Sequence, residues 1–200
     1  MNLSAVTLDS TRATLGGIAL FQTIAAIVAM QKSKHTQLAK ANAIGAAVCA
    51  IAASVYHRMS TSNGSTSQDL RHADWLITCP LMLWELYVLM DMDIKTHTWS
   101  FCISVVSIIV CIFLGRLAAE SKGGKRLTLF GVATLVFVLM LVNIGLGVDW
   151  SRIQNIVPFA FLALWALYPL AFWEKSGALY NALDLVSKGV FGLYVGSIGM

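Results

Sequence analysis

The chain has 200 residues, 58% of them hydrophobic and 12% charged, with a mean hydropathy of +0.73. Soluble domains carry about a quarter of their residues as charges, so this composition describes an integral membrane protein. A formal charge of +4 and a pI near 9.0 are ordinary for that class, and no basic patch points to a nucleic-acid partner. The start, "MNLSAVTLDSTRATLGG", is polar and lacks the basic-then-apolar order of a cleavable signal peptide. Cys49, Cys79, Cys102 and Cys111 fall in apolar segments without a CxxC pattern, which indicates neither a zinc site nor a disulfide framework.

A transmembrane helix needs about 20 largely apolar residues. Seven runs meet that length, at about 14–31, 39–59, 70–90, 98–118, 126–147, 152–173 and 177–198. The breaks between them are short: "QKSKHTQ", "TSNGSTSQ", "DMDIKTH", "ESKGGKR", "GVDWS" and "EKSG". Short connections make successive helices antiparallel neighbours. The expectation is an all-α, seven-helix membrane bundle, a single domain over 1–200 with a polar N-terminal segment of about 1–13. The cationic residues outside the spans place Arg12, Arg58, Arg116, Lys122, Lys125, Arg126 and Lys175 on the N-terminal side. Lys32, Lys34, Lys40, Lys95 and Arg152 fall opposite. Charge alone therefore leans weakly toward a cytoplasmic N-terminus.

The third run, "RHADWLITCPLMLWELYVLM", carries Arg71, Asp74, Thr78 and Glu85 on one helical face, because they are spaced by three, four and seven. Ionisable groups in hydrocarbon cost a few kcal/mol each and usually line a working interior. The sixth contains "WALYP", Trp165 to Pro169, which is either a proline-kinked aromatic face or, with Trp75, the wall of a pocket for a long apolar ligand. The seventh contains "LDLVSK", with Asp184 and Lys188 one turn apart in mid-span. That pair has two readings. It is a neutralising ion pair that fixes packing, or an amine in a dry site that forms a Schiff base with an aldehyde. In the second case Asp184 and Asp74 are the counterions, and Arg71 screens the two acids from each other.

Together these stretches resemble the microbial (type 1) rhodopsins. "RHADWLITCP" is similar to the family's R-Y-A-D-W-L-x-T-x-P, "WALYP" to W-x-x-Y-P, "LDLVSK" to L-D-x-x-x-K, and "AIAASVYH" to a second-helix stretch ending in Tyr56. The resemblance covers all seven spans and implies a seven-helix bundle around covalently bound all-trans retinal, with the N-terminus outside and the C-terminus cytoplasmic. It overrides the charge lean, which is only seven cations to five. It implies retinal on Lys188, counterions at Asp74 and Asp184, and Tyr56 and Tyr168 hydrogen-bonded to Asp184. Trp75 and Trp165 would sandwich the polyene, with Met82, Cys79, Pro169 and Phe172 beside it, Phe130 and Thr134 at the ring end, and Ser187 next to the lysine. Three positions and one connection depart from the pattern, the first being Phe172, with Trp173 next to it, where a second sixth-helix Trp is common. His72 stands where Tyr is common and Cys79 where Thr is frequent, which puts the hydrogen bond between the third and fourth helices in question. The short "EKSG" connection leaves Glu174 as the nearest acid there. His35, His57 and His97 fall near span ends and read as interfacial.

Asp74, Thr78 and Glu85 make a D-T-E set similar to that of proteorhodopsin-like outward proton pumps. Asp74 would accept the Schiff-base proton. Glu85, eleven residues and roughly 16 Å further along the helix, would replace it. The stretch between is apolar and solvates a carboxylate poorly. A light-driven transporter of this kind is not an enzyme. The rivals on the same scaffold are a light-gated cation channel, an inward proton pump and a photosensor. The second helix lacks the acids of a channel, an inward pump similar to the schizorhodopsins lacks the aspartate at 74, and a sensor has no need of Glu85. The family also implies a homo-oligomer, trimer or pentamer, in a lipid bilayer.

Overall fold

A bilayer offers no water to backbone N–H and C=O groups, so each apolar run must satisfy them internally, as a helix. The computed structural model describes residues 3–31, 36–62 and 67–199. Within them the chain forms seven helical rods: α1 (Leu3–Gln31), α2 (Thr36–Thr61), α3 (Ser67–Leu89), α4 (Thr98–Glu120), α5 (Gly123–Gly147), α6 (Ile153–Glu174) and α7 (177–199). Five are long and apolar enough to cross a membrane, all but α3 and α7. Those two carry the buried charges. The midpoints of the first two connections, with Lys32, Lys34 and His35, lie outside the described residues.

Neighbouring rods run antiparallel, as contacts between opposite ends show. Arg12 near the start of α1 bonds His57 near the end of α2 at 2.8 Å, and Arg116 near the end of α4 pairs with Asp69 at the start of α3 at 2.9 Å. The bundle thus has an N-face, where α1 begins, and a C-face, where α7 ends. At the C-face Arg152 joins Asp91 at 2.6 Å and Asp149 at 3.3 Å, tying two connections together. The Ser151 hydroxyl and amide, with Arg152, hold the exposed Asp149 carboxyl below its usual range.

Three features differ from the reading of the sequence. First, the described part of the polar N-terminal segment, residues 3–13, is helical and continuous with α1, which starts at Leu3. No proline or glycine interrupts it before Gly16, and Thr14 folds its hydroxyl back onto the Ser10 carbonyl at 2.9 Å. Second, α6 is not one regular helix. It opens with a 3-10 turn (Ile153–Asn155) and tightens again at Leu164–Leu167. Pro169 has no N–H to give the Trp165 carbonyl, and the Tyr168 N–H takes that acceptor instead, one residue early. Third, α7 widens into a π-helical turn over Leu185–Val190, centred on Lys188.

The core joins Leu83, Leu86 and Tyr87 of α3 to Met140 and Ile144 of α5, Leu162 and Trp165 of α6, and Phe191 and Val195 of α7. Alanines at 25, 26, 29, 39, 41, 46 and 52 are buried, which lets α1 and α2 approach closely. Leucine, isoleucine and valine on α4 and α5, such as Ile103, Val106, Leu135 and Leu139, face outward as a lipid surface does. The tie from α3 to α4 that Cys79 put in question runs instead through Tyr87, whose hydroxyl bonds Ser100 at 2.9 Å. Asn143 of α5 donates to Ser104 of the same cluster at 3.0 Å.

Candidate functional site

Arg71, Asp74, Thr78 and Glu85 are 7%, 2%, 0% and 2% exposed, so the polar stripe of α3 does face the interior. From α7 the π turn delivers Lys188, whose Nζ donates to Asp74 Oδ2 at 2.5 Å and lies 3.7 Å from Asp184 Oδ2. The turn exposes backbone carbonyls, and the Lys188 carbonyl accepts Cys49 Sγ of α2 at 3.6 Å. Both acids named from the sequence therefore meet the amine, but they are not equivalent.

Asp184 is surrounded by donors. Tyr56 donates to it at 2.9 Å, Tyr168 at 2.5 Å and the Trp75 indole at 3.2 Å, while Arg71 Nη1 lies 3.6 Å away. Arg71 also donates to Tyr56 at 2.9 Å and to Asn181 at 2.7 Å, so its fork spans α2 and α7. Asp74 has less support. Its Oδ2 holds Lys188, and its buried Oδ1 makes no hydrogen bond among the described residues. Thr78 bonds the Asp74 backbone carbonyl at 2.9 Å rather than the carboxylate. Two carboxylates face one ammonium and one guanidinium, a charge balance that makes burial of all four tolerable.

Lys188 ends in a cavity of about 130 Å³ between α3, α4, α5 and α6. Its walls include every pocket residue expected from the sequence except Tyr56: Trp75, Cys79, Met82, Phe130, Thr134, Trp165, Tyr168, Pro169, Phe172 and Ser187. Tyr56 lies behind, on Asp184. Phe130 stacks on Phe172 at 5.2 Å, and Ser187 Oγ lies 3.1 Å from the Tyr168 hydroxyl. The sequence reading missed the α4 wall, Ile108, Cys111, Ile112 and Gly115. Their spacing is that of one helix face, but α4 is apolar all round, so periodicity singles out no side. It also missed Tyr180, which lies one turn before Asp184 and was within reach of a spacing argument.

Beyond Lys188 the two directions differ. Toward the N-face a cavity of about 400 Å³ is lined by Gln68, Arg71, His72, Arg126, Lys175 and Tyr180. Toward the C-face lies Glu85, among Leu83, Leu86 and other core side chains, with Oε1 unpaired among the described residues. One face of α2 spans this length. Asn42 bonds the Val195 carbonyl at 3.4 Å, Cys49 the Lys188 carbonyl, and Tyr56 the Asp184 carboxylate. Glu174 is exposed, and His57 and His97 sit at rod ends, bonded to Arg12 and to the Asp93 carbonyl.

The model of the "Bacteriorhodopsin-like protein" family matches residues 7–198. Opsin-1 of Neurospora crassa is 30% identical over 149 residues, covering 62% of this chain and 47% of the relative. A bacteriorhodopsin-II-like protein of Haloquadratum walsbyi is 28% identical over 182 residues, covering 72% of this chain and 70% of its own. This chain thus spans about half the length of the first relative and over two thirds of the second. Among solved structures, xanthorhodopsin, described as a light-driven ion pump with dual chromophore, superposes with a TM-score of 0.80 at 20% identity, over 98% of this chain and 92% of that one. With a family match across nearly the whole chain and a seven-rod bundle in agreement, this multi-pass membrane protein belongs to the bacteriorhodopsin-like family and is a microbial, type 1 rhodopsin.

Proposed function

We propose that the protein is a light-driven proton transporter that moves protons from the C-face to the N-face, which is outward when the N-terminus lies outside the cell. One observation carries the reading: a buried lysine amine sits 2.5 Å from one oxygen of Asp74, at the edge of an apolar cavity, with a second buried acid on the opposite side. The residues fit all-trans retinal. An aldehyde-bearing polyene needs a single amine, flat aromatic walls and a counterion, and Lys188, Trp75 with Trp165, and the underused Asp74 carboxylate supply them. Lys188 would hold retinal through the side-chain amine, and retinal would supply the light absorption and the change of shape that drive transport.

The chain's own groups supply the direction. Asp74 receives the proton from Lys188 Nζ, since its carboxylate is the nearer and less satisfied of the two. Asp184 stays ionised through the cycle, because two tyrosine hydroxyls, an indole N–H and Arg71 stabilise its charge. Arg71 stands between this cluster and the N-face cavity, so the released proton leaves on that side. Glu85 returns a proton to Nζ from the C-face side, across the apolar layer that holds Met82. Thr78 fixes the α3 backbone at Asp74. Phe130 and Thr134 close the far end of the cavity, and Ser187 and Tyr168 set the polarity beside the lysine. The chain works as a single domain in a bilayer, as a trimer or pentamer of identical copies.

The test is illumination of unbuffered, retinal-supplied cells expressing the full chain while external pH is recorded. External acidification under light that a protonophore abolishes supports the reading. A photocurrent whose reversal potential follows a tenfold change in external sodium or potassium replaces it with a cation channel.

A further inference from the structure

α1 contributes nothing to the site described so far, yet it carries Gln22 within the apolar run "GIALFQTIAAIVAM". That side chain is 0% exposed, and neither its Nε2 nor its Oε1 makes a hydrogen bond among the described residues. A buried amide without a partner costs a few kcal/mol, so an isolated glutamine in an apolar helix marks an interaction that repays it. The glycines around it show where it points. A Cβ on Gly45 of α2 would collide with Gln22 Nε2 and would lie 2.5 Å from Glu85 Oε1. A Cβ on Gly192 of α7 would lie 2.7 Å from Gln22 Oε1 and 2.9 Å from its Cδ. Two bare backbones thus form a notch through which the amide crosses from α1 to the carboxyl of Glu85. The unpaired amide and the unpaired carboxyl oxygen crowd the same point. Asn42 of α2 gives its Nδ2 to the Leu38 and Val195 carbonyls, and its buried Oδ1 has no partner among the described residues.

We propose that Gln22 is a positioning residue for proton transfer by Glu85, holding the carboxyl through its side-chain amide in the notch made by Gly45 and Gly192. This rests on the reading of Glu85 as the proton donor. An amide suits the task because it serves both states of the acid: its oxygen accepts from the protonated carboxyl, and its NH2 donates to the carboxylate left behind. No proton passes through Gln22 itself. The two glycines are required because any side chain at either position occupies the space of the amide.

The test uses the full, retinal-loaded chain in lipid vesicles and two readouts: the infrared carboxylic C=O band that disappears in Glu85→Gln, and recovery of the dark absorbance after a flash. Gln22→Met keeps length and bulk but removes the amide that would hold the carboxyl. The band should move to higher frequency, and recovery should slow about tenfold, the equivalent of roughly 1.4 kcal/mol in the barrier. Gly192→Ala, which displaces the amide without changing it, should move the band in the same way and keeps the test available if Gln22→Met does not fold. An unmoved band in the variants that fold overturns the proposal, as does a moved band with unchanged recovery. Both results leave the donor reading intact if Glu85→Gln itself is slow. Recovery at the wild-type rate in Glu85→Gln removes the donor reading and this inference together.

Discussion

The bundle on the N-face side of Lys188 and the bundle on its C-face side are built on different principles. On the N-face side, Asp184, Arg71, Tyr56, Tyr168, Trp75 and Asn181 form a network in which nearly every polar atom has a partner within 3.2 Å. A polar cavity of about 400 Å³ leads outward from it. In the interior on the C-face side one buried acid among the described residues, Glu85, stands among aliphatic side chains, near the Gln22 amide of α1. Charge on the first side is stabilised where it stands, whereas charge on the second would be poorly solvated. That inequality around one amine is what the proposed one-way proton path would use, because a group that receives and a group that reloads must not exchange roles.

The largest break comes from removing the amine on which the comparison pivots. Lys188→Ala should abolish the covalent pigment altogether, leaving protein that is colourless after acid denaturation and washing; a surviving covalent adduct would place the linkage elsewhere. Next is the proposed acceptor. Asp74→Asn keeps the shape of the side chain but removes the charge 2.5 Å from Nζ, so absorption should shift to the red and light-driven acidification should stop. An unchanged spectrum with full pumping would transfer the role to Asp184.

The third prediction bears on the dry side. Glu85→Gln should leave the dark spectrum nearly unaltered but slow its recovery by about a hundredfold, near the lower range of general acid–base effects, and make that recovery depend on bulk pH. A small diffusible acid such as azide should restore it. The smallest effect lies at the C-face rim. Asp149 is held below the usual carboxylate range by Ser151 and Arg152, so the contribution of this turn is present at neutral pH and is lost only as pH falls through its lowered value. Ser151→Ala removes a hydroxyl that donates at 2.6 Å and should raise the pH at which the turn loosens, read as faster exchange of nearby amides in acid. No change in that midpoint would assign the rim's stability to the Arg152–Asp91 pair alone.

Much of this was legible in the chain itself. Seven apolar runs separated by short polar breaks leave a bilayer-spanning helix bundle as the physical solution, because unsatisfied backbone is intolerable in hydrocarbon. Arg71, Asp74, Thr78 and Glu85 fall on one face by helical arithmetic, and Asp184 and Lys188 by the same rule. Local spacing cannot state distances between rods. That Lys188 lies nearer Asp74 than Asp184 depends on a π turn in α7, which inserts no signature into the sequence. That α4 supplies one wall of the cavity was hidden because an evenly apolar helix has no periodic side. Gln22 stood in plain view as one polar letter in an apolar run. Its place beside Gly45, Gly192 and the Glu85 carboxyl emerged only when α1, α2, α3 and α7 were brought together, since a junction of four rods is a property of packing and leaves no trace in any single helix.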